Sequence, residues 1–163
     1  MRLRIQPEEV EAARHGIRRS SAWPHVEKLH LQLQPKCLCC KPEQRPRAAM
    51  QVHHIFPFHY CIALGRPDLE LDLRNLVTLC EHEEGKPGQN HHLLVGHFDS
   101  FQSSNLNVLE DAKGIFHGRC AEEIRKSARW VELVGQRLKP LGEMSEHEKA
   151  EFAHSMNARF PRR

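Results

Sequence analysis

The sequence predicts an α+β fold: a small two-stranded unit stapled by metal, with helical segments before and after it. Three observations lead there. Met50 to Phe56 and the run Leu76-Val77-Thr78-Leu79 are short stretches rich in Val, Ile, Phe and Leu, bounded by turn-forming residues. Apolar residues on both sides of them recur at helical spacing. Cys37-x-x-Cys40, Cys80 and a concentration of histidines fall in and around the two strands. A chain of 163 residues, 39% hydrophobic but 6% aromatic, suits one compact domain with a modest core.

In chain order, Pro7 before Glu8, Glu9 and Val10 reads as a helix start, with Val10, Ala13 and Ile17 on one side. A second start lies at Ser20-Ser21, with Pro24 early in the helix and Val26, Leu29 and Leu33 along one face; Pro35 stops it. Cys37-Leu38-Cys39-Cys40 makes a tight knuckle, followed by a Pro-, Arg- and Lys-rich loop to Arg47. The first strand ends at Pro57, and residues 57–74 form a long connection to the second. Glu81 to Gln89 is a polar loop containing Gly85, Pro87 and Gly88. Asn90 caps a helix carrying His91 to Phe98. Beyond Lys113, the residues Ile124, Ala128, Val131 and Leu138 keep helical spacing, and Ser145-Glu146-His147-Glu148 opens a last helix with a capping box. The expected organisation is a basic helical segment over 1–35, a core over 36–110 and a helical extension over 111–163.

Charge is distributed unevenly. Residues 1–47 hold 10 Lys/Arg against 5 Asp/Glu, residues 48–110 hold 3 against 8, and residues 111–163 hold 11 against 8. An acidic, His-rich middle between basic flanks fits a metal centre held against a polyanion, although ordinary surface charge gives the same pattern. No apolar run is long enough to cross a bilayer. Met1-Arg2-Leu3-Arg4 leads into Pro7-Glu8-Glu9 rather than an apolar secretion segment, so a cytoplasmic location is expected. In a reducing compartment, six cysteines beside many histidines favour metal over disulfides.

Two groups of residues carry the chemistry. Structural zinc takes four N or S ligands in a tetrahedron. Cys37 and Cys40 supply one pair and Cys80 a third ligand; His91 is the choice for the fourth because it would tie helix to strand, with His82 and Glu83 as competitors. Cys39 and Cys61 read as small packing residues, and His59, His82 and His117 as surface residues. The second group is His53-His54 with Asn75, His92 and His97. A two-Cys, two-His finger through Cys37, Cys40, His53 and His59 fails because Pro57 breaks the helix that both histidines would need. A zinc deaminase fails because the Cys-x-x-Cys lies upstream of His82-x-Glu84 instead of downstream.

Met50-Gln-Val-His-His-Ile-Phe-Pro, Leu73-Arg-Asn-Leu-Val-Thr-Leu-Cys80 and Asn90-His-His-Leu-Leu-Val-Gly-His97 resemble the successive pieces of an HNH endonuclease, over roughly residues 20–110. The likeness is to bacterial and phage forms with a Cys-x-x-Cys knuckle before the paired histidines. It implies the ββα-metal (His-Me finger) fold, with a β-hairpin and a helix around one divalent metal, and cleavage of phosphodiester bonds in DNA. By position it makes His53 and His92 metal ligands, and His54 the general base that takes a proton from water. Asn75 braces the inter-strand loop and orients His54 or its supporting carbonyl. His97 completes the site or contacts phosphate. The implied cofactors are a structural Zn²⁺ and a catalytic divalent ion, Mg²⁺ foremost, with Mn²⁺, Ni²⁺ or Zn²⁺ as others. Many relatives have Cys where this chain has His91, and often Trp where it has Phe101.

Adjacent residues on a strand face opposite sides, so His53 and His54 can serve one centre only if the strand twists or bulges there. Two functional classes follow: a DNA nuclease, or a non-catalytic zinc-stabilised module that binds nucleic acid or protein. No membrane partner is expected. The C-terminal helices offer a surface for a homodimer or a protein partner.

Overall fold

The structure is a computed structural model that describes residues 7–42, 49–81 and 90–163. The N-terminal residues Met1 to Arg4, the basic loop to Arg47, and the alternative zinc ligands His82 and Glu83 lie outside the described residues. The fold is mixed α and β, with one two-stranded antiparallel sheet among the described residues. Helix α1 (Pro7–Arg14) and α2 (Trp23–Leu33) precede strand β1 (Ala49–His54). Helix α3 (Phe58–Ala63) and two 3-10 turns (Pro67–Glu70 and Leu73–Asn75) lead to β2 (Leu76–Glu81). A π-helix (His92–Gly96) follows, then α4 (Val108–Lys113), α5 (Ala121–Lys126), α6 (Ala128–Gly135), a 3-10 turn (Leu141–Glu143) and α7 (Glu146–Arg159). No helix among the described residues is long and apolar enough to cross a membrane.

Local signals set most of the boundaries. Pro24 sits in the first turn of α2, where its missing N–H costs nothing, and the helix ends at Leu33 before Pro35. Ser145 caps α7: its hydroxyl accepts from the Glu148 N–H, while the Glu148 carboxylate accepts from the Ser145 N–H. Asn90 accepts from the Leu93 N–H at 2.9 Å, as a cap should. Residues 57–74 are not a bare connection, because α3 and both 3-10 turns fill them. The helical spacing beyond Lys113 is broken at Ser127, which closes α5 and caps α6.

The β1–β2 register pairs Met50 with Cys80, His53 with Val77 and His54 with Leu76. Strand alternation gives the hairpin two faces. Val52 packs with Trp23 and Leu76 in a small apolar group under α2, on the side where His54 lies against Trp23 at a ring-centroid distance of 4.7 Å. His53 faces the other way, edge-on to His97 at 4.7 Å and to His92 at 5.5 Å. The main core runs from the Cys37 knuckle through Ile55, Phe56, Leu79 and Leu94 to Phe152, Met156 and Phe160. The C-terminal helix is therefore part of the same core as the hairpin, with Phe56 edge-on to Phe152 at 5.4 Å and to Phe160 at 5.8 Å.

Arg66 fastens that junction. Its side chain is 1% exposed, yet it donates to the Phe160 carbonyl at 2.8 Å, to Asn157 Oδ1 at 2.9 Å and to the Asp68 carboxylate at 2.6 Å. A buried guanidinium is tolerated because these acceptors replace its lost water. Arg66→Ala leaves the Phe160 carbonyl and Asn157 without this donor, and hydrogen bonds to charged groups contribute roughly 1.5–3 kcal/mol. Urea denaturation of Arg66→Ala should show a loss of about 2–3 kcal/mol, allowing for the half-exposed Asp68. An unchanged midpoint would mean that α7 is held by its aromatic contacts alone.

Candidate metal centres

Three chain segments build the first centre. The knuckle after α2 carries Cys37 and Cys40, β2 carries Cys80, and His91 stands at the entry of the π-helix. The knuckle is fixed to β2 by the Leu38 N–H donating to the Thr78 carbonyl at 3.0 Å, while the Thr78 hydroxyl donates to the Gln34 carbonyl at 2.6 Å. Gly118, at φ +70°, bonds to the Cys39 carbonyl at 2.7 Å, and a Cβ there would run into the Lys41 side chain.

His91 Nδ1 lies 3.5 Å from Cys37 Sγ, 3.4 Å from Cys40 Sγ and 3.3 Å from Cys80 Sγ, and the Cys40 and Cys80 sulfurs are 3.9 Å apart. Zinc at about 2.3 Å from sulfur and about 2.05 Å from nitrogen in a tetrahedron requires edges of about 3.8 Å and about 3.6 Å. The observed edges fit, so Cys37, Cys40, Cys80 and His91 could hold a metal such as zinc. The other His91 nitrogen, Nε2, lies 3.2 Å from the Arg119 carbonyl. A carbonyl can only accept, so Nε2 carries a proton and Nδ1 is the nitrogen that faces the sulfurs. Hydrogen bonds with the Cys40 and Cys80 thiols hold the Cys37 thiol far below its usual pKa. Burial opposes a charged His91, but hydrogen bonds with the Cys37, Cys39 and Cys80 sulfurs outweigh it and push the imidazole up to about 12.

The second centre contains a residue that the sequence did not single out. Glu8, on α1, joins His53, His92 and His97, and the four donor atoms lie within 4.8 Å of one another, all from buried residues. Glu8 Oε1 is 3.1 Å from His97 Nε2, 3.7 Å from His53 Nδ1 and 3.9 Å from His92 Nε2. His92 and His97 are five residues apart, which in an α-helix would leave them about 140° apart around the axis. The π-helix opens the turn to the i→i+5 pattern and brings both rings to one side, with their Nε2 atoms 3.3 Å apart. Gly96 makes room for the third ring, since a Cβ there would stand 3.1 Å from His53 Cε1 and Nδ1.

The outer partners orient these rings as a metal site requires. His97 Nδ1 donates to the Ser103 carbonyl at 2.7 Å, which turns Nε2 toward Glu8. His92 Nδ1 is 3.7 Å from Glu81 Oε1. Burial would raise the Glu8 pKa, but hydrogen bonds from His92 and His97 hold the carboxyl well below its usual range. Burial, then the His97 charge, drive His53 well below the usual imidazole value. Burial also opposes a charged His92, but Glu8 and Glu81 raise it to about 9.

No family model, curated protein or solved structure matches the chain.

His54 sits beside the second centre rather than in it. Its Nε2 donates to the Glu70 carbonyl at 2.9 Å. Asn75 anchors the adjoining backbone: its Nδ2 donates to the Leu69 and Phe56 carbonyls at 3.0 Å, and its Oδ1 accepts from the Phe56 N–H at 2.8 Å. Because Nε2 carries the proton, Nδ1 is left with a lone pair, 3.9 Å from Glu8 Oε2 and without a hydrogen bond. Burial, then the Arg19 charge, lower its pKa to about 4. The two histidines meet one carboxylate from opposite strand faces because Glu8 spans the strand end, one oxygen toward each.

Two expectations need adjusting. His59 is not a surface residue: it is buried between His15 and Tyr60, and burial lowers its pKa to about 4. His117 is half-buried, with Nδ1 3.3 Å from the Ala112 carbonyl. Cys39 and Cys61 are packing thiols bonded to the Phe116 and Phe56 carbonyls, and Phe101 packs against the His97 and His92 rings. Glu8 had no signal of its own, because an acidic residue in a first helical turn has an ordinary explanation.

Metal analysis of the purified chain should find about one tightly bound zinc at the three-cysteine centre. Cys40→Ala should lose it and unfold the hairpin, seen as collapse of near-ultraviolet dichroism. A stable, folded Cys40→Ala protein without zinc would refute the staple.

Proposed function

We propose that this chain is a metal-dependent DNA nuclease of the HNH type, with the hairpin and π-helix forming a ββα-metal core. The observation that carries the reading is the tautomer of His54. The Glu70 carbonyl, next to the Leu69 carbonyl that Asn75 bonds, keeps the proton on Nε2, so Nδ1 is a free proton acceptor aimed at the edge of the second centre. A buried imidazole with one nitrogen committed to a carbonyl and the other unbonded is poorly explained as a packing residue.

In this reading the phosphodiester lies across His53, His92 and His97, and a water stands at His54 Nδ1. The water oxygen bonds to phosphorus, its proton passes to Nδ1, and the bond from phosphorus to the leaving sugar oxygen breaks, that oxygen collecting a proton. His53, His92 and His97 would hold a divalent ion, which when bound would supply positive charge to stabilise the phosphoryl and leaving oxygens. Asn75 acts as a positioning residue through the Leu69–Glu70 backbone. The zinc staple holds β2 and the π-helix together, and with them His92 and His97. An exposed Lys36, Lys41 and Lys113 line a groove beside the knuckle, which supports a polyanionic partner.

One observation favours a second reading. His53 and His54 are 0% exposed and Glu8 is 6% exposed, so the proposed diester site is covered. A non-catalytic zinc-stabilised module would look the same.

Plasmid nicking in Mg²⁺, Mn²⁺ or Ni²⁺, with and without chelator, separates the two. His54→Ala should slow cutting by roughly 10²–10⁴-fold, the usual contribution of a general base. Equal cutting by both proteins would remove His54 from that role. No cutting in any metal, by the wild type or by the Glu8 variants described below, would favour the module.

A further inference from the structure

The covered site and the acidic residue that covers it belong together. We propose that Glu8 is the fourth protein ligand of the second centre, and that α1 is thereby a lid docked over the place where a phosphodiester enters. The lid's purpose rests on the nuclease reading; the ligation does not.

The geometry of the carboxylate is the first support. Its two oxygens are divided between two tasks. Oε1 faces His53, His92 and His97 at 3.7, 3.9 and 3.1 Å, and completes a three-histidine, one-carboxylate donor set suited to a divalent ion. Oε2 faces His54 Nδ1 at 3.9 Å. A bound diester and its attacking water would need the same two positions, one oxygen at the ion and one at the base. Glu8 therefore occupies the substrate's place and cannot be present together with it.

The second support is how little else holds α1. It has eight residues, too few for a helix to be stable alone in water. Among its described side chains Glu8 and Ala12 are buried, while Val10 is 44% exposed. A methyl group is a weak apolar anchor, so the position of α1 depends chiefly on polar contacts, with Glu8 the buried one and Glu9 pairing Arg19 from outside. Competition at Glu8 by a diester would release the whole helix.

Arg19 is the third support. Its guanidinium lies between the Trp23 and Phe58 rings, 4.2 and 4.0 Å from their centroids, and its Nη2 bonds Glu8 Oε2 at 3.4 Å. Nε and Nη1 are buried and make no hydrogen bond, although Glu9 and Glu70 oxygens stand 3.6 and 4.0 Å away. This guanidinium, clamped by aromatic rings and paired with carboxylates of which two ride on α1, is placed to meet another anion when α1 leaves. Once Glu8 leaves, Arg19 faces a phosphate with the geometry suited to paired hydrogen bonds.

The test uses the full chain with zinc in the cysteine centre, as wild type, Glu8→Gln and Glu8→Ala, each verified as folded by circular dichroism. Mn²⁺ binding is followed by the electron paramagnetic resonance of the free ion, and amide exchange of residues 7–14 is measured with and without Mn²⁺. The proposal expects Mn²⁺ to slow exchange across α1 in the wild type. It expects both variants to lose that protection and to bind Mn²⁺ at least tenfold more weakly. At saturating Mn²⁺, Glu8→Ala should nick plasmid at least tenfold faster than wild type. Unchanged Mn²⁺ affinity and protection in the variants would overturn the ligation. A wild type that nicks as fast as Glu8→Ala would overturn the lid. If no variant nicks, the nuclease reading falls, while binding and exchange still decide for or against Glu8 as a ligand that docks α1.

Discussion

Two six-residue strands cannot hold a hairpin in water by themselves, and this hairpin also has to carry charged and polar groups on its inner faces. Cys37, Cys40, Cys80 and His91 answer that constraint. They draw the knuckle, the second strand and the start of the π-helix toward a single point. Through Leu38 and Gly118 the same point reaches the backbone of β2 and the loop after α4. Everything downstream depends on it: if His91 were free to move, His92 next to it and His97 one π-turn later would lose their common direction.

The second centre stores polar groups at high density in a dry place. Four imidazoles and one carboxylate are buried within a few side-chain radii, and burial alone opposes a charge on Glu8, His53, His54 and His92. The arrangement survives because each group is given a partner suited to its state. Carbonyls take the N–H of His54 and His97, Glu81 stands behind His92, and the Glu8 carboxylate gathers the nitrogens that face inward. A core residue set chosen for stability would replace such a group by apolar side chains, so its presence speaks for a role in binding.

The parts of this arrangement that were legible in the sequence are those with a local cause. Pro24 and Pro35 bracket α2, Ser145 and Glu148 open α7, and the two β-branched runs form the hairpin. The three-cysteine, one-histidine cluster could be read because Cys-x-x-Cys is a short-range signal and Cys80 and His91 lie near turns. Asn75 was singled out through its order between the histidine motifs, and in the structure it bonds the Phe56 and Leu69 backbone. Other features were hidden because their cause is distant. Glu8 is 45 positions from His53, and nothing local marks it as a ligand. The π-turn is written in the His92–His97 spacing, but that spacing also fits an ordinary helix whose two histidines diverge. Arg66 looked like a loop residue, and its partner Phe160 lies 94 positions later. His59 was read as exposed because its neighbours gave no periodicity, whereas α3 turns it inward.

The account stands on the staple, and its ligand set can be read directly. X-ray absorption at the zinc edge, on the chain carrying one equivalent of zinc, reports the identity and distance of each neighbour. Three sulfurs at about 2.3 Å and one nitrogen at about 2.0–2.1 Å are predicted. A shell made of nitrogen and oxygen alone would place the zinc among other residues, and would contradict the arrangement on which the hairpin, the π-helix and His54 depend.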